Sequence, residues 1–184
     1  VQWLIRAAEG GYDAAQVRLG LCYEYAEGIE KDLSKAALWY QKAAEQDHAE
    51  GQFNLGCCYM KGVGVPIDCA KAVDLFKMAA EQGHIRAQLC LAESYEQGIG
   101  VAKNEAEAVN WYLKAARKGN EYAQYSLGWA YEHGQGIELD IAQARYWYEA
   151  AAEQGYEDAK KRLESLPQTQ PLADTSHVSA QELY

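Results

Sequence analysis

Residues Ala123–Tyr131 read Ala-Gln-Tyr-Ser-Leu-Gly-Trp-Ala-Tyr. Ala123, Leu127, Gly128 and Tyr131 fall at the spacing that puts them on one stripe of an α-helix. Working outward, the same register holds Leu19, Leu55, Leu91, Leu127 and Leu163, and also Tyr23, Tyr59, Tyr95 and Tyr131. An alanine pair recurs at Ala7-Ala8, Ala43-Ala44, Ala79-Ala80, Ala115-Ala116 and Ala151-Ala152, and Trp3, Trp39, Leu75, Trp111 and Trp147 keep step with it. Every step is 36 residues, without insertion or deletion. A fixed period of this length is the mark of a stacked repeat array.

Each period holds two helices. The first, helix A, runs through the Ala-Gln-x-x-Leu-Gly-x-x-Tyr stripe and stops at Gly-x-Gly (Gly62 and Gly64, Gly98 and Gly100, Gly134 and Gly136), where glycine adopts the left-handed backbone that ends a helix. Asp32, Asp68, Asn104 and Asp140 then stand where an N-cap belongs, and Asn104 with Glu107 reads as a capping box. Helix B follows, through Lys-Ala-x-x-Trp-Tyr-x-Lys-Ala-Ala-Glu-Gln in the second unit, and closes at Asp47, Gly83, Gly119 and Gly155. Ala43, Ala44 and Gly56 remove bulk where helices cross, while Trp39 and Tyr59 fill the space between layers. The count is a lone helix B, four A–B pairs and a final helix A near residues 157–166. A hairpin alone cannot bury both faces, so the pairs stack into an all-α, right-handed superhelical solenoid of antiparallel helix pairs. The solenoid covers residues 1–166, and residues 167–184, with Pro167, Pro171, Thr169, Thr175 and Ser176, have the composition of a flexible tail.

Composition narrows the function. The chain has 184 residues, enough for one domain or a short array, with 49% apolar and 24% charged side chains. Its net charge of −10 repels phosphate backbones and anionic headgroups, which argues against nucleic-acid ligands. There is no apolar run long enough to span a bilayer, and membrane insertion is not expected. The chain opens at Val1, inside what reads as a helix, so we expect a trimmed N-terminus whose signal, if any, is missing. The five cysteines (Cys22, Cys57, Cys58, Cys69, Cys90) make no even framework, which points to a reducing compartment, cytoplasmic or host-delivered; a trimmed signal would make the protein periplasmic or secreted instead. Cys57-Cys58 near His48 and His84 raises a metal or a nucleophile–base pair, yet no Cys-x-x-Cys spacing exists and buried thiols are the better reading. The Gly-x-Gly turns recur at the same place in three successive repeats, as helix punctuation does, so no phosphate loop is read from them. No cofactor or metal is expected.

The run Ala-Gln-x-x-Leu-x-x-x-Tyr-x-x-Gly-x-Gly-Val (Ala87 to Val101), followed elsewhere by Trp-Tyr-x-Lys-Ala-Ala-Glu-Gln (Trp39 to Gln46), resembles the Sel1-like repeat family, relatives of the tetratricopeptide repeats. The resemblance covers residues 1 to about 166. It implies a non-enzymatic adaptor that scaffolds protein complexes, without catalytic residues. A cysteine-rich bacterial branch of that family staples each hairpin with cysteines eight residues apart; those positions are held here by Ala44 and Gln52, Ala80 and Gln88, and Ala116 and Gln124, so the staples are not expected.

In tetratricopeptide-like curvature the A helices line the concave side. Their positions off the packing stripe include Val17, Leu21 and Tyr25; Phe53, Cys57 and Met60; Arg86, Leu89 and Glu93; and Tyr122, Tyr125, Trp129 and His133. Glu24, Glu50, Lys61, Glu96, Gln97 and Glu132 stand among them. This is more aromatic and apolar than a solvated face requires, and Tyr, Trp, Met and Arg are enriched at interface centres. It reads as a groove for a peptide segment or helix of another protein, with Trp129 its sharpest anchor. The competing reading is that these side chains pack on neighbouring A helices. The carboxylates select basic ligands or serve solubility. A second function class stays open, in which the array is the structural part of a larger protein, a secretion component or enzyme, and positions another domain. Leu172, Val178, Leu183 and Tyr184 could dock the tail in this groove or in a second copy's, giving tail-mediated self-association.

Overall fold

The computed structural model describes residues 1–167, so all of the tail but Pro167, with its expected anchors, lies outside the described residues. Ten helices and no strands occur among those residues: α1 (Gln2–Glu9), α2 (Asp13–Tyr25), α3 (Leu33–Ala44), α4 (Ala49–Lys61), α5 (Cys69–Glu81), α6 (Ile85–Gln97), α7 (Glu105–Ala116), α8 (Glu121–His133), α9 (Ile141–Glu153) and α10 (Glu157–Ser165). The even-numbered helices are the A helices and the odd-numbered ones the B helices. Each packs on its neighbours in the chain, and the core runs through the stack as a series of apolar clusters. This is an all-helical solenoid.

The punctuation follows local chemistry. Asp32, Asp68, Asn104 and Asp140 each accept a backbone N–H of the first turn of their B helix, at 2.9–3.1 Å. The expected capping box at Asn104 and Glu107 does not close. The Asn104 N–H donates instead to the Tyr95 carbonyl at 2.8 Å, as those of Asp32, Asp68 and Asp140 do to Tyr23, Tyr59 and Tyr131. Gly62, Gly98 and Gly134 end three A helices at positive φ, while the first hairpin manages the same turn with Ala26 at φ 60°. Asp47 stands at φ 62° where Gly83, Gly119 and Gly155 do the same work for other B helices.

Three of the A helices are crossed by their B partner over a glycine. A Cβ added at Gly20, Gly56 or Gly128 would stand 2.5–2.6 Å from the ring of Tyr40, Phe76 or Tyr148, closer than any real contact. Those rings are fully or almost fully buried, and the Tyr40 and Tyr148 hydroxyls reach Glu24 and Glu132 near the ends of α2 and α8.

Candidate functional site

A row of cavities opens between successive A helices. The first, of about 280 Å³, is lined by Leu21, Glu24 and Tyr25 of α2, by Glu50, Phe53, Asn54, Cys57, Cys58 and Lys61 of α4, by Val63 after it, and by Arg86 of α6. The second, of about 500 Å³, lies between α4 and α6 and shares Phe53, Cys57, Lys61 and Arg86, adding Met60, Phe76, Leu89, Cys90, Glu93, Ser94, Gln97 and Ile99. A third, of about 230 Å³, lies between α6 and α8 against Glu96, Tyr122, Tyr125, Ser126 and Trp129.

The row is built rung by rung from one set of equivalent positions. Near the end of each A helix comes Glu24, Met60, Glu96 or Glu132. The partner sixteen residues on, in the B helix, is Tyr40, Phe76, Tyr112 or Tyr148, and the residue thirty on, in the next A helix, is Asn54, Cys90, Ser126 or Arg162. In three rungs the tyrosine hydroxyl donates to the carboxylate: Tyr40 to Glu24 at 2.6 Å, Tyr112 to Glu96 at 3.1 Å and Tyr148 to Glu132 at 2.6 Å. Burial first, with the carboxylate beside it, raises the pKa of all three tyrosines, so they stay protonated donors. In the remaining rung all three members change together to Met60, Phe76 and Cys90, and there the largest of the three cavities opens, with mainly apolar walls.

The neighbour thirty residues on decides what each carboxylate meets. Glu132 has the Arg162 guanidinium at 3.6 Å. Glu96 faces Ser126, whose hydroxyl is spent on the Tyr122 carbonyl at 2.9 Å. Glu24 shares its cavity with Asn54, whose Nδ2 is buried without a hydrogen-bond partner among the described residues. Arg86 lies over the Phe53 ring at 4.5 Å and stands 3.9 Å from Glu50, while Glu50 mainly serves His84 at 2.8 Å. Lys61 makes no ion pair among the described residues.

Of the positions expected from sequence, Leu21, Tyr25, Cys57, Met60, Arg86, Leu89, Glu93, Tyr122, Tyr125 and Trp129 line one or more of these cavities. Val17 does not: at 6% exposure it packs into the core with Ala36, Tyr40 and Leu55. Phe53 is core as well, 3% exposed against Phe76, and gives the cavities a wall rather than a free anchor. Both sit on the inner edge of their helix, where the next layer closes over them. Tyr125 and Trp129 are half-buried against the cluster of Tyr148, Ala159 and Leu166, so truncating them costs packing, contrary to an exposed hot spot. His133 is exposed and stacks on the Trp129 ring at 4.2 Å. Asn54, Cys90, Ser126 and Arg162 escape a reading of single helices, because their role appears only once the offset between successive A helices is known.

Neither thiol nor histidine chemistry assembles. Burial pushes the Cys57 and Cys58 thiols up to about 11 and Cys90 to about 12, away from a nucleophile at neutral pH. All five cysteines are free. His48 and His84 cap α4 and α6, their Nδ1 atoms accepting from the Gly51 and Ala87 N–H groups at 3.3 and 3.2 Å. Among the described residues no three His, Cys, Asp or Glu side chains gather as metal ligands, and no helix is long and apolar enough to cross a membrane.

The Sel1 repeat family model matches residues 1–12, 13–48, 49–84, 85–120 and 121–156, the last four each an A–B pair. The fold is similar to a protective antigen of uropathogenic Escherichia coli strains displaying an SLR fold, with 39% identity and a TM-score of 0.87 over 89% of this chain and 35% of that one. It is also similar to a Sel1 repeat protein from Oxalobacter formigenes, with 39% identity, a TM-score of 0.78, and 89% and 65% coverage. A third structure, the Helicobacter pylori cysteine rich protein B, is 30% identical with a TM-score of 0.53, over 66% of this chain and 87% of that one. The chain thus spans about a third of the antigen and just under two thirds of the Oxalobacter protein. Among curated proteins no sequence matches it.

Proposed function

The chain belongs to the Sel1 repeat family, whose members generally act as protein–protein interaction scaffolds and are typically not enzymes, and from that membership we propose that it is an adaptor whose A-helix groove holds an extended segment or helix of another protein. The observation that carries this reading is the row of three cavities between successive A helices, the first two sharing a wall, lined by aromatic, apolar and charged side chains. A groove of that kind offers pockets for side chains and a polar rim for a partner's backbone. The free cysteines suit a compartment that keeps thiols reduced.

The test is site-specific photo-crosslinking in the native host. A benzophenone amino acid replaces Tyr25, which is 64% exposed in the first cavity, or the exposed Arg86 in the second, and a control chain carries it at Tyr146 on α9. Adducts with the same partner from the two groove positions, and none from Tyr146, are the expected result. Adducts from Tyr146 alone would overturn the groove.

A further inference from the structure

The rung that ends in Arg162 shows what its neighbour lacks. Glu132, bonded to Tyr148, has a guanidinium brought to within 3.6 Å of it by α10. One repeat earlier Glu96 is bonded to Tyr112 in the same way, but the position of Arg162 is taken by Ser126, and a cavity of about 230 Å³ walled by Tyr122, Tyr125 and Trp129 stands there instead. A carboxylate beside three aromatic rings is a favourable seat for a planar cation, through charge-assisted hydrogen bonds and cation–π attraction. From this internal comparison we infer that the α6–α8 cavity is a subsite for an arginine side chain of the bound partner, which supplies in trans the group that Arg162 supplies in cis. The inference rests on the adaptor reading and names the chemistry of its ligand.

The surroundings give the segment a direction. The adjoining apolar cavity between α4 and α6, opened by Met60, Phe76 and Cys90, takes a bulky aliphatic or aromatic side chain. Lys61 of α4 and Arg86 of α6, which leans over the Phe53 ring of α4, stand on it, while Glu93 lines it and Glu96 lines the next cavity toward α8, so an incoming arginine is repelled from one side and drawn to the other. His133, at the far end of α8, is the other titratable group stacked on the Trp129 ring. Packed helix axes lie about 8–10 Å apart, a distance an extended chain covers in about three residues. The partner therefore carries a large apolar residue with an arginine about three positions away.

The probe is a short peptide of glycine, serine and alanine that carries one leucine and, three residues later, one arginine, titrated into ¹⁵N-labelled chain while the Trp129 indole N–H resonance is followed. The expected result is a shift at Trp129, with affinity about tenfold weaker when glutamine replaces the arginine. Two variants should lose the same factor: Glu96→Gln, which keeps an acceptor for Tyr112 but removes the charge, and Ser126→Arg, which installs the side chain that the next rung already accommodates. Equal binding of the glutamine peptide, unchanged affinity in Glu96→Gln, or no movement at Trp129 at millimolar peptide would each overturn the subsite. If Ser126→Arg alters the fold, Glu96→Gln still decides. Groove crosslinks from Tyr25 and Arg86 that persist after such a result leave the adaptor reading standing and this inference alone refuted.

Discussion

Lys118 interrupts a ladder that three other hairpins complete. Gln46 donates to Gln16, Gln82 to Gln52 and Gln154 to Gln124, at 2.7–2.8 Å, tying the end of each B helix to the start of its own A helix. At the matching place in the third hairpin Lys118 turns to the Gly83 carbonyl at 2.7 Å, and Gln88 Oε1 is left buried without a partner. An unmade buried acceptor costs about 1–3 kcal/mol, a made hydrogen bond returning about 1 kcal/mol net. Lys118→Gln is therefore expected to stabilise the chain by about 1 kcal/mol, read as a higher urea midpoint at constant slope. A midpoint equal to or below the parent's would show that the Gly83 contact matters more. The ladder was not legible in the sequence: one glutamine of each pair lies in an A helix and the other just past the end of a B helix, and thirty residues separate the partners. The histidine caps were hidden similarly, since His48 and His84 look like candidate ligands until their Nδ1 atoms are seen facing the first turn.

At the scale of elements, boundaries were the most legible feature, because glycine at positive φ and Asp or Asn caps each have a local cause. What could not be read locally is how the ends of the array differ from its middle. Trp39 and Trp111 are 9% and 6% exposed, covered by the A helix of their own hairpin, whereas Trp3 on α1 is 81% exposed because no described A helix lies over it. At the other end α10 has Glu164 where α2, α4 and α8 have the glycine over which a B helix crosses, and Lys160 where the ladder has glutamine. Each terminal helix thus lacks a described layer on one side. Stability in such stacks is roughly a sum of nearest-neighbour terms, and local opening is easiest where those are fewest. Amides of α1 and α10 should exchange fastest and those of α4 to α7 slowest, measured by mass spectrometry on the chain alone. Uniform protection along the chain would mean that the stack opens as one unit.

For the whole molecule, the 36-residue period gave the solenoid and the helix order. The A-helix face was legible as a surface, but its division into distinct cavities was not. Val17 and Phe53 were drawn into the site because a stripe of residues cannot show where the next layer closes over it, and Tyr125 and Trp129 looked freer than their packing on the Tyr148 cluster allows. Conversely, the matched changes at Met60, Phe76 and Cys90, and the exchange of Arg162 for Ser126, set the character of each rung, although no two of these residues are close in sequence. The period keeps the scaffold constant while one column of positions varies what each rung offers. The central claim is that this A-helix column, not the B-helix face, is the working surface. Hydrogen–deuterium exchange of the chain with and without its crosslinked partner tests it directly. The account predicts new protection concentrated in α4, α6 and α8, with α3, α5 and α7 unchanged on their outer faces; protection centred on α3, α5 and α7 would contradict it.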